Sequence, residues 1–466
     1  MDEQNINNRP VNPRRRKRTQ AQIIKEDYLP VIIVGISLIL ILIFIIGSIV
    51  RAVQKKQYNA ELSAQASLAA QQEQERLEAE VAALMAEAAD LAKHFDYEGA
   101  IAVMDRFQGD MYAFADFSNR YAEYANAAAN LVLWDDPNKV VSLSFQPLIA
   151  DPARAFSDET YGTSYYNNYI TVDEFTKILL QLYENGYILI RHSDMQIKDG
   201  KMELYLPNGK KPLLLTETHV NYNTYMIDGD GDKLPDKDGD GFASKLVLDE
   251  NGNLACEMVD SNGNTVTGAY DIVPILESFI ESHPDFSYKG AKAILALTGY
   301  DGLFGYRTSS AAMDYFGKAH HDQQVAAAKD VIAAVKAAGY ELACYSYENE
   351  PYGEYTADQI KSELELWKKE VAPLLGDVSL FVFCRNSDIA ENGTAYSGSK
   401  FEVLKSYGFT DFIGFSKDGK LWYNAYADHS RMGRILVTGS NLSGNAEWFE
   451  GIFDAYSIKD KARQAQ

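Results

Sequence analysis

The run from Val31 to Val50, VIIVGISLILILIFIIGSIV, restricts the fold of this chain more than any other feature. The run carries no charge, and a helix of about twenty residues covers roughly 30 Å, the hydrocarbon thickness of a bilayer. A cleaved signal peptide has a shorter apolar region and a small-residue cleavage site, whereas Arg51 follows this run directly. The sequence therefore predicts a retained transmembrane helix over 31–50.

Charge predicts the orientation of this helix. The segment 1–30 is basic and contains RRRKR at 14–18, whereas only Arg51, Lys55 and Lys56 follow the apolar run closely. Because Lys and Arg are enriched on the cytoplasmic side, we expect a cytoplasmic tail over 1–30, in contact with anionic lipid, and an extracellular main domain. The whole chain has 44 Lys and Arg against 66 Asp and Glu. An acidic external domain repels polyanions, so nucleic acid is not an expected ligand.

Residues 51–135 are predicted to form a helical stalk. Neither Gly nor Pro occurs between Arg51 and Glu98. Apolar residues spaced by three and four lie on one helical stripe: Leu77, Val81, Leu84, Ala88, Leu91 and Phe95. The stripe either forms a short coiled coil, through which the protein self-associates, or packs on the next helices. The segment 96–107 resembles the second helix of a tetratricopeptide-type hairpin.

Beyond Pro137, apolar runs that are typical of strands alternate with helical segments. The runs are KVVSLSF (139–145), YILI (187–190), LLLT (213–216), AILALTG (293–299), YELAC (340–344), SLFVFC (379–384), FIGF (412–415) and ILVTG (435–439). Helices begin at Thr171, which has a capping-box sequence, and at Thr356. This alternation predicts a parallel sheet, most simply a (β/α) barrel, whose functional residues lie at the carboxyl ends of the strands.

An acidic insertion at 228–270 interrupts the alternation. Its DENGN and SNGN segments predict two hairpin turns. Six aspartates precede them: Asp228, Asp230, Asp232, Asp236, Asp238 and Asp240. Calcium takes roughly six to eight oxygen ligands from a flexible loop, so these residues are candidate ligands of a structural calcium ion. The loop is not an EF-hand, because Lys233 and Gly239 stand where Gly and Glu are required. A solvated acidic loop without a metal is the alternative.

Four segments resemble the polysaccharide deacetylase (NodB-homology) family of distorted (β/α) barrels: TVDEFTKILLQLYENGYILI, KPLLLTETHV, AGYELACYSYENEP and KFEVLKSYGFTDFIGF. FQPLIADPARAF and HPDFSYKGAKAILALTGYDGLFGYRT resemble membrane-anchored members. The resemblance covers residues 139–460. It implies a hydrolase that cleaves the C–N bond of N-acetyl groups on peptidoglycan or chitin-like glycan. Such enzymes use a zinc ion, which lowers the pKa of bound water, and a catalytic aspartate.

The resemblance also locates the site, and the residues there are substituted. The family motif Thr-Phe-Asp-Asp reads Thr-Glu-Thr-His at 216–219, so Thr218 stands at the position of the base and His219 at that of a metal ligand. Tyr345 and Asn349 replace the two metal-binding histidines. An imidazole, a phenol and an amide are poor zinc ligands, so zinc is not expected. The main hypothesis is a membrane-anchored pseudoenzyme that binds or organises cell-wall glycan.

Two other functions stay open. One is an active carbohydrate N- or O-deacetylase with a non-standard site. In it His219 pairs with Glu217 as the base, and Arg307 binds a carboxylate or stabilises an oxyanion, although a structural salt bridge explains Arg307 equally well. The other is an extracellular scaffold that binds a second membrane protein through the stalk.

Tyrosines near the ends of the predicted strands are candidate sugar-binding residues. Tyr165, Tyr166, Tyr345 and Tyr347 could stack on sugar faces, or they could pack on the rim of the barrel.

The last residues of two neighbouring predicted strands are Cys344 and Cys384. They predict either a disulfide or two buried thiols.

Overall fold

A computed structural model describes residues 19–195, 197–198 and 201–464 of the protein. These residues divide into two units, one ending at Ala82 and the other beginning at Ala83. The RRRKR segment of the predicted cytoplasmic tail lies outside the described residues.

The first unit is helical. Its described elements are Gln20–Ile23, the π-helical turn Ile24–Tyr28, and a helix, Leu29–Lys93, that continues past Ala82. This helix is long and apolar enough to cross a membrane, a property that a signal sequence near an amino terminus shares. Residues 51–93 form an uninterrupted helix because they lack Gly and Pro and are rich in strong helix formers.

In the second unit, seven parallel strands close a barrel, as predicted. We number the parallel strands of the central sheet in chain order: β1 Val141–Phe145, β2 Tyr187–Leu189, β3 Lys211–Thr218, β4 Ile294–Leu297, β5 Glu341–Cys344, β6 Leu380–Val382, β7 Asp411–Phe415 and β8 Ser430–Leu436. A ninth strand, Tyr423–Ala425, pairs antiparallel with β8. The order around the barrel is β1-β3-β4-β5-β6-β7-β8, and β8 pairs with β1. Strand β2 pairs with the beginning of β3, outside the closed ring.

Helices connect most of the strands. They are Pro152–Ser157, Gly162–Asn168, Val172–Glu184, Thr224–Ile227, Ile272–Ser282, Ser310–Phe316, Lys318–Ala337, Ala357–Leu366, Ala372–Leu375, Ser399–Ser406, Gly439–Gly444 and Lys461–Gln464. The capping box predicted at Thr171 is present: its hydroxyl accepts the Glu174 N–H at 3.2 Å, and the Glu174 carboxylate accepts the Thr171 N–H at 2.9 Å. A second capping box begins the helix at Thr356.

The barrel wall separates two apolar clusters. Leu213 and Leu215 of β3 belong to the outer cluster, which includes residues of the surrounding helices, whereas Leu214 belongs to the inner cluster that fills the barrel. Since side chains alternate along a strand, Glu217 lies on the outer face of β3 and Thr218 on the inner face. This alternation decides which of the predicted site residues reach the interior of the barrel.

Residues 83–135 of the predicted stalk belong to the second unit. Their helices, Tyr97–Met104 and Ala115–Ala129, contact each other, and Val132–Trp134 pairs with Leu204–Leu206. Lys289 donates its backbone N–H to the His94 carbonyl at 2.8 Å. Lys289 precedes β4, so this segment packs at the amino ends of the strands. Self-association through the stripe stays a prediction.

The predicted hairpins form a three-stranded antiparallel sheet from Lys245–Leu248, Leu254–Val259 and Thr265–Gly268. At the first turn the Asp249 carboxylate accepts the N–H groups of Asn251 and Asn253 at 2.9 and 2.8 Å, and Asp260 does the same at the second turn.

The cysteines correct one expectation. All three are free and buried, and no disulfide joins Cys344 to Cys384. The register of β5 and β6 places Cys344 opposite Phe381, three residues before Cys384. An odd offset reverses the face of the sheet, so Cys344 lies in the outer cluster and Cys384 in the inner one. The structure therefore has two buried thiols instead of a disulfide.

Candidate functional site

A cavity of about 280 Å³ opens at the carboxyl ends of the barrel strands. Its lining residues end or follow six of these strands, apart from Asn168 at the end of the helix Gly162–Asn168: Ser144, Phe145, Gln146, Asn168, Thr218, His219, Tyr345, Asn349, Arg385, Asn386, Phe415, Leu436, Val437 and Thr438. The four positions at which the family resemblance implied the base and the metal ligands therefore lie together. We call this cavity the barrel-end pocket.

Thr218 and His219 enter the pocket from the end of β3. The Thr218 hydroxyl donates a hydrogen bond to the Phe145 carbonyl at 3.1 Å. His219 follows with a left-handed backbone (φ 61°), and its Nδ1 atom has no hydrogen-bond partner among the described residues. Burial lowers the pKa of His219 to about 4, so the imidazole is neutral at physiological pH.

Tyr345 and Asn349 face them from the segment that follows β5. The Tyr345 ring packs edge-to-face against His219, with 4.9 Å between the ring centroids and 78° between the planes. Burial raises the pKa of Tyr345 to about 12, so the phenol stays neutral. The buried side-chain oxygen of Asn349 has no partner among the described residues. Both positions thus present neutral groups where the family has histidines.

These donors do not fit the family's zinc ion. Zinc sites are built from thiolates, imidazoles and carboxylates, and the pocket offers one imidazole with a phenol and amides. Within the described ranges, a group of three or more His, Cys, Asp or Glu ligand atoms within 4.8 Å of one another occurs only at Asp228, Asp230 and Asp236. The pocket therefore lacks the set of ligands that the resemblance implied for zinc.

Unusual backbone conformations are concentrated around the pocket. Ten described residues other than glycine have positive φ, and four of them line it: His219 (61°), Asn349 (58°), Arg385 (52°) and Asn386 (54°). Asn and His enter this region more readily than other residues, whereas for Arg385 it is strained. Such strain costs about 1–3 kcal/mol and is found preferentially at functional sites.

Two arginines give the pocket its charge. Arg385 lines it, and Arg434 of β8 is fully buried in the barrel with its guanidinium 4.1 Å from the centroid of the Phe415 ring. Arg434 donates to the carbonyls of Ile413 (3.0 Å), Gly414 (3.0 Å) and Phe383 (2.7 Å). No Asp or Glu is among the lining residues.

A buried ion pair holds the loop that carries Arg385. Arg431 donates to the Asp388 carboxylate at 2.9 Å, and the Tyr396 hydroxyl donates to its other oxygen at 2.6 Å. The Arg431 guanidinium stacks 3.9 Å above the Tyr396 ring. These contacts fix the loop a few residues beyond Arg385, and so position it at the pocket.

Arg385 and Arg434 were not among the predicted site residues, although the sequence carries signals for both. Arg385 directly follows the run SLFVFC, and residues that follow barrel strands are the expected site residues. Arg434 lies two residues after Met432, which faces the interior of the barrel, so strand alternation also places Arg434 inside.

Glu217 lies away from the pocket, on the outer face of β3 beside Asp271. Both carboxyl groups are fully buried. Burial, followed by the neighbouring Asp271 charge, raises the pKa of Glu217 well above its ordinary value. The structure therefore does not bring Glu217 together with His219.

Arg307 also lies outside the pocket lining. It is buried, and it donates to the carbonyls of Asp301 and Tyr222, both at 2.8 Å. Its guanidinium lies 3.5 Å from the Asp301 carboxylate. Arg307 thus joins the loops that follow β3 and β4, which is the structural role considered for it.

Of the four predicted tyrosines, Tyr345 lines the pocket. Tyr165 and Tyr347 are buried, and their hydroxyls donate to Asp240 (2.5 Å) and Glu370 (2.6 Å). The Tyr166 hydroxyl donates to the Arg463 carbonyl at 3.2 Å. Tyr165, Tyr166 and Tyr347 thus have the contacts expected of residues that pack on the barrel rim.

The six aspartates of the insertion separate into two sets. The carboxylates of Asp228, Asp230 and Asp236 lie close enough to share one ion. The other three have different contacts: Asp232 accepts the Leu234 N–H, Asp238 pairs with Lys237, and Asp240 accepts the Tyr165 hydroxyl. Burial raises the pKa of Asp240 to about 6.

Comparison with known proteins gives matches among solved structures. No protein-family model and no curated protein sequence matches this chain. One structural match is the Streptococcus pyogenes deacetylase PplD in complex with acetate, with 13% identity over 67% of this chain and 96% of that one, and a TM-score of 0.36. Another is BA0330 from Bacillus anthracis, described as a polysaccharide deacetylase, with 10% identity over 69% and 71% of the two chains and a TM-score of 0.37. The second carries the name of the family that the sequence resembles.

Proposed function

We propose that this chain is a membrane-anchored, extracellular polysaccharide-deacetylase-like protein that binds cell-wall glycan without hydrolysing it. One observation carries the proposal. Thr218, His219, Tyr345 and Asn349, which replace the family's base and metal ligands, lie together in one pocket at the carboxyl ends of the strands. The position of the family site is kept, while the groups that hydrolysis requires are substituted.

The acid–base properties of the pocket support an inactive site. A general base works best when its pKa lies near the working pH, and the pKa of His219 is about 4. A hydrolase of the Glu217–His219 type needs the carboxylate within hydrogen-bond reach of the imidazole, but Glu217 lies on the outer face of β3. Arg307, the candidate oxyanion donor, is occupied by the carbonyls of Asp301 and Tyr222.

Unused hydrogen-bonding groups support binding. Ser144 Oγ, His219 Nδ1 and Asn349 Oδ1 are buried without a well-formed hydrogen bond among the described residues, and the His219 and Asn349 side chains interact with each other. Buried polar atoms are nearly always hydrogen-bonded in proteins, so such a group of exceptions is typical of a site that a ligand completes. Sugar hydroxyl and amide groups provide both donors and acceptors, which suits all three atoms.

The anchor and its orientation belong to the same proposal. The apolar helix and the basic segment before it support a cytoplasmic amino terminus and an extracellular barrel. Protease added outside intact cells is expected to remove the barrel domain and spare the tail. Digestion of the tail with protection of the barrel would reverse the assigned orientation.

We also propose a structural calcium ion at Asp228, Asp230 and Asp236, with no part in catalysis. Mutual repulsion among neighbouring carboxylates favours a bound cation, and these three present oxygen ligands at a shared position.

The test uses the full-length protein in detergent micelles. We expect it to sediment with insoluble peptidoglycan or chitin, to hold no stoichiometric zinc and to release no acetate. His219→Leu and Asn349→Leu should weaken sedimentation, because each removes an unpaired polar group from the pocket. Acetate release that His219→Ala abolishes would contradict the inactive site. Failure to bind any glycan, together with capture of a membrane protein by the stalk, would favour the scaffold.

A further inference from the structure

We propose that the barrel-end pocket selects a sugar that bears a carboxylate. In this proposal Arg385 binds the carboxylate directly, and Arg434, which is buried inside the barrel, makes the electrostatic potential of the pocket positive. This inference names the ligand class of the proposed function and rests on it. Three features of the site support it: a buried cation without a counter-charge, an arginine at the pocket, and a lining free of acidic side chains.

Arg434 is a buried cation without a carboxylate partner. Three of its hydrogen bonds go to backbone carbonyls, its one side-chain partner is the neutral Tyr345 phenol, and its Nε atom has no partner among the described residues. The nearby Asp388 is already paired with Arg431 and Tyr396. A guanidinium stays protonated inside proteins, and an uncompensated buried charge is costly. An anion bound in the pocket would offset that cost.

Arg385 provides the direct contact. It lines the pocket with its side chain 58% exposed, and the closest carboxylate, Glu350, is 3.9 Å from its Nη1 atom, at the limit of an ion pair. The donors of Arg385 are thus largely available. The planar guanidinium presents two parallel N–H groups that match the two oxygens of a carboxylate.

The other lining residues leave this positive charge uncompensated. His219 and Tyr345 are neutral at physiological pH, and the remaining lining side chains are apolar, hydroxyl or amide groups. This contrasts with the whole chain, in which 66 acidic residues outnumber 44 basic ones. A positive pocket on an acidic protein attracts an anionic group and discriminates against a neutral analogue.

The size of the pocket restricts the ligand to a small unit. Its volume of about 280 Å³ lies just below the usual range of ligand pockets, which begins at roughly 300 Å³. One sugar ring with an acidic substituent is therefore a better occupant than several sugar units. The unpaired atoms of Ser144 and Asn349 remain for the neutral groups of the same ring.

The experiment compares two sugars that differ by one carboxylate-bearing substituent. N-acetylmuramic acid is N-acetylglucosamine with an added lactyl ether, and its methyl ester keeps the carbons of that ether without the charge. Calorimetric titration of the full-length protein in micelles at fixed salt should give at least tenfold tighter binding of N-acetylmuramic acid. Arg385→Met should remove this preference and leave the affinity for N-acetylglucosamine within about threefold.

Two variants control for charge and folding. Arg120→Met removes an arginine of similar exposure (49%, against 58% for Arg385) from the helix Ala115–Ala129, far from the pocket in sequence, and should change neither affinity. Glu350→Gln removes the carboxylate nearest Arg385 and should strengthen binding of N-acetylmuramic acid severalfold. An increase of this kind cannot result from partial unfolding.

Each outcome has a definite meaning. Equal affinity for both sugars, or an Arg385→Met variant that keeps the preference, would overturn the inference and leave the proposed glycan-binding function intact. Inorganic phosphate that displaces N-acetylmuramic acid at equal concentration would show a general anion site and overturn the selectivity for a sugar. Absence of binding to both sugars and to insoluble glycan would overturn the inference and the proposed function together.

Discussion

The two sides of the barrel wall bury ionisable groups of opposite charge. Outside the wall, Glu217 and Asp271 place two carboxyl groups in an apolar environment between β3 and the helix Ile272–Ser282. Inside the wall, Arg434 places a guanidinium among aromatic rings and backbone carbonyls. Both regions are inaccessible to solvent, but they differ in how the charge can be neutralised.

The outer pair neutralises itself with a proton. Glu217 Oε1, Glu217 Oε2 and Asp271 Oδ2 have no donor among the described residues, and a proton on Glu217 gives the pair a shared hydrogen bond. Arg434 has no such route, because an arginine does not lose its proton in a protein. Buried charged groups near one strand end can therefore have different roles. A pair that the protein neutralises by itself contributes to stability, whereas a charge that the protein leaves unpaired favours the binding of a ligand.

The largest expected effect is on the outer pair. Asp271→Ala should lower the free energy of unfolding by about 3 kcal/mol, because the Leu148 and Ile272 N–H groups lose their acceptor at 2.9 Å and the helix loses its N-cap. Asp271→Asn keeps an acceptor oxygen and should cost less than half as much.

Urea unfolding followed by tryptophan fluorescence measures the difference. All four tryptophans lie in the second unit: Trp134, Trp367, Trp422 and Trp448. Equal losses for the two substitutions would contradict the assigned role of the acceptor.

A third way to neutralise charge, a bound cation, is proposed at the aspartates of the acidic insertion. If Asp228, Asp230 and Asp236 bind the ion only in the folded state, calcium at a hundred times its Kd raises the free energy of unfolding by about 2.7 kcal/mol. Thermal unfolding with calcium or with chelator measures the effect. Asp230→Ala should abolish it, while Asp238→Ala, which changes a residue outside this group, should preserve it. Equal melting temperatures with and without chelator would rule out the site.

The pH dependence of stability tests the shared proton. Burial raises the folded-state pKa of Glu217, so between its unfolded pKa, near 4.5, and the folded value the folded chain holds more protons than the unfolded one. Stability from this group is therefore present at low pH and is lost as the pH rises, by at most about 1.4 kcal/mol per pH unit.

Glu217→Gln removes this titration and keeps a donor toward Asp271. Relative to the wild type, its free energy of unfolding should therefore increase from pH 5 to pH 8. The difference in free energy of unfolding between the two proteins separates the effect of Glu217 from that of other acids with raised pKa values. One of these is Glu363, because burial raises its pKa to about 7. Parallel stability curves for the two proteins would show that Glu217 is not the titrating group.

The barrel, and the grouping of Thr218, His219, Tyr345 and Asn349 at one end of it, could be predicted from the sequence, whereas the orientation of individual residues could not. The barrel strands are apolar on both faces, as in LLLT, so their pattern does not show which residue points inward. Glu217 and His219 were therefore paired in one hypothesis although Glu217 faces outward. The disulfide failed for a similar reason, because strand register is set by packing across the barrel and placed Cys344 opposite Phe381.

The smallest effect on stability should come from substitution of Arg385. This prediction distinguishes most clearly between a binding role inside the barrel wall and a structural role outside it. Its positive φ of 52° costs a side-chain-bearing residue about 1–2 kcal/mol, and glycine is free of this strain but loses about 0.5–1 kcal/mol of chain entropy. Arg385→Gly should therefore leave the melting temperature unchanged or slightly raised while it removes the preference for the carboxylated sugar. Arg385→Ala keeps the strain and should unfold at a lower temperature than Arg385→Gly, with the same loss of preference. If Arg385→Gly destabilised the protein as strongly as Asp271→Ala, Arg385 would be a structural residue. The charged groups on both sides of the barrel wall would then contribute to stability.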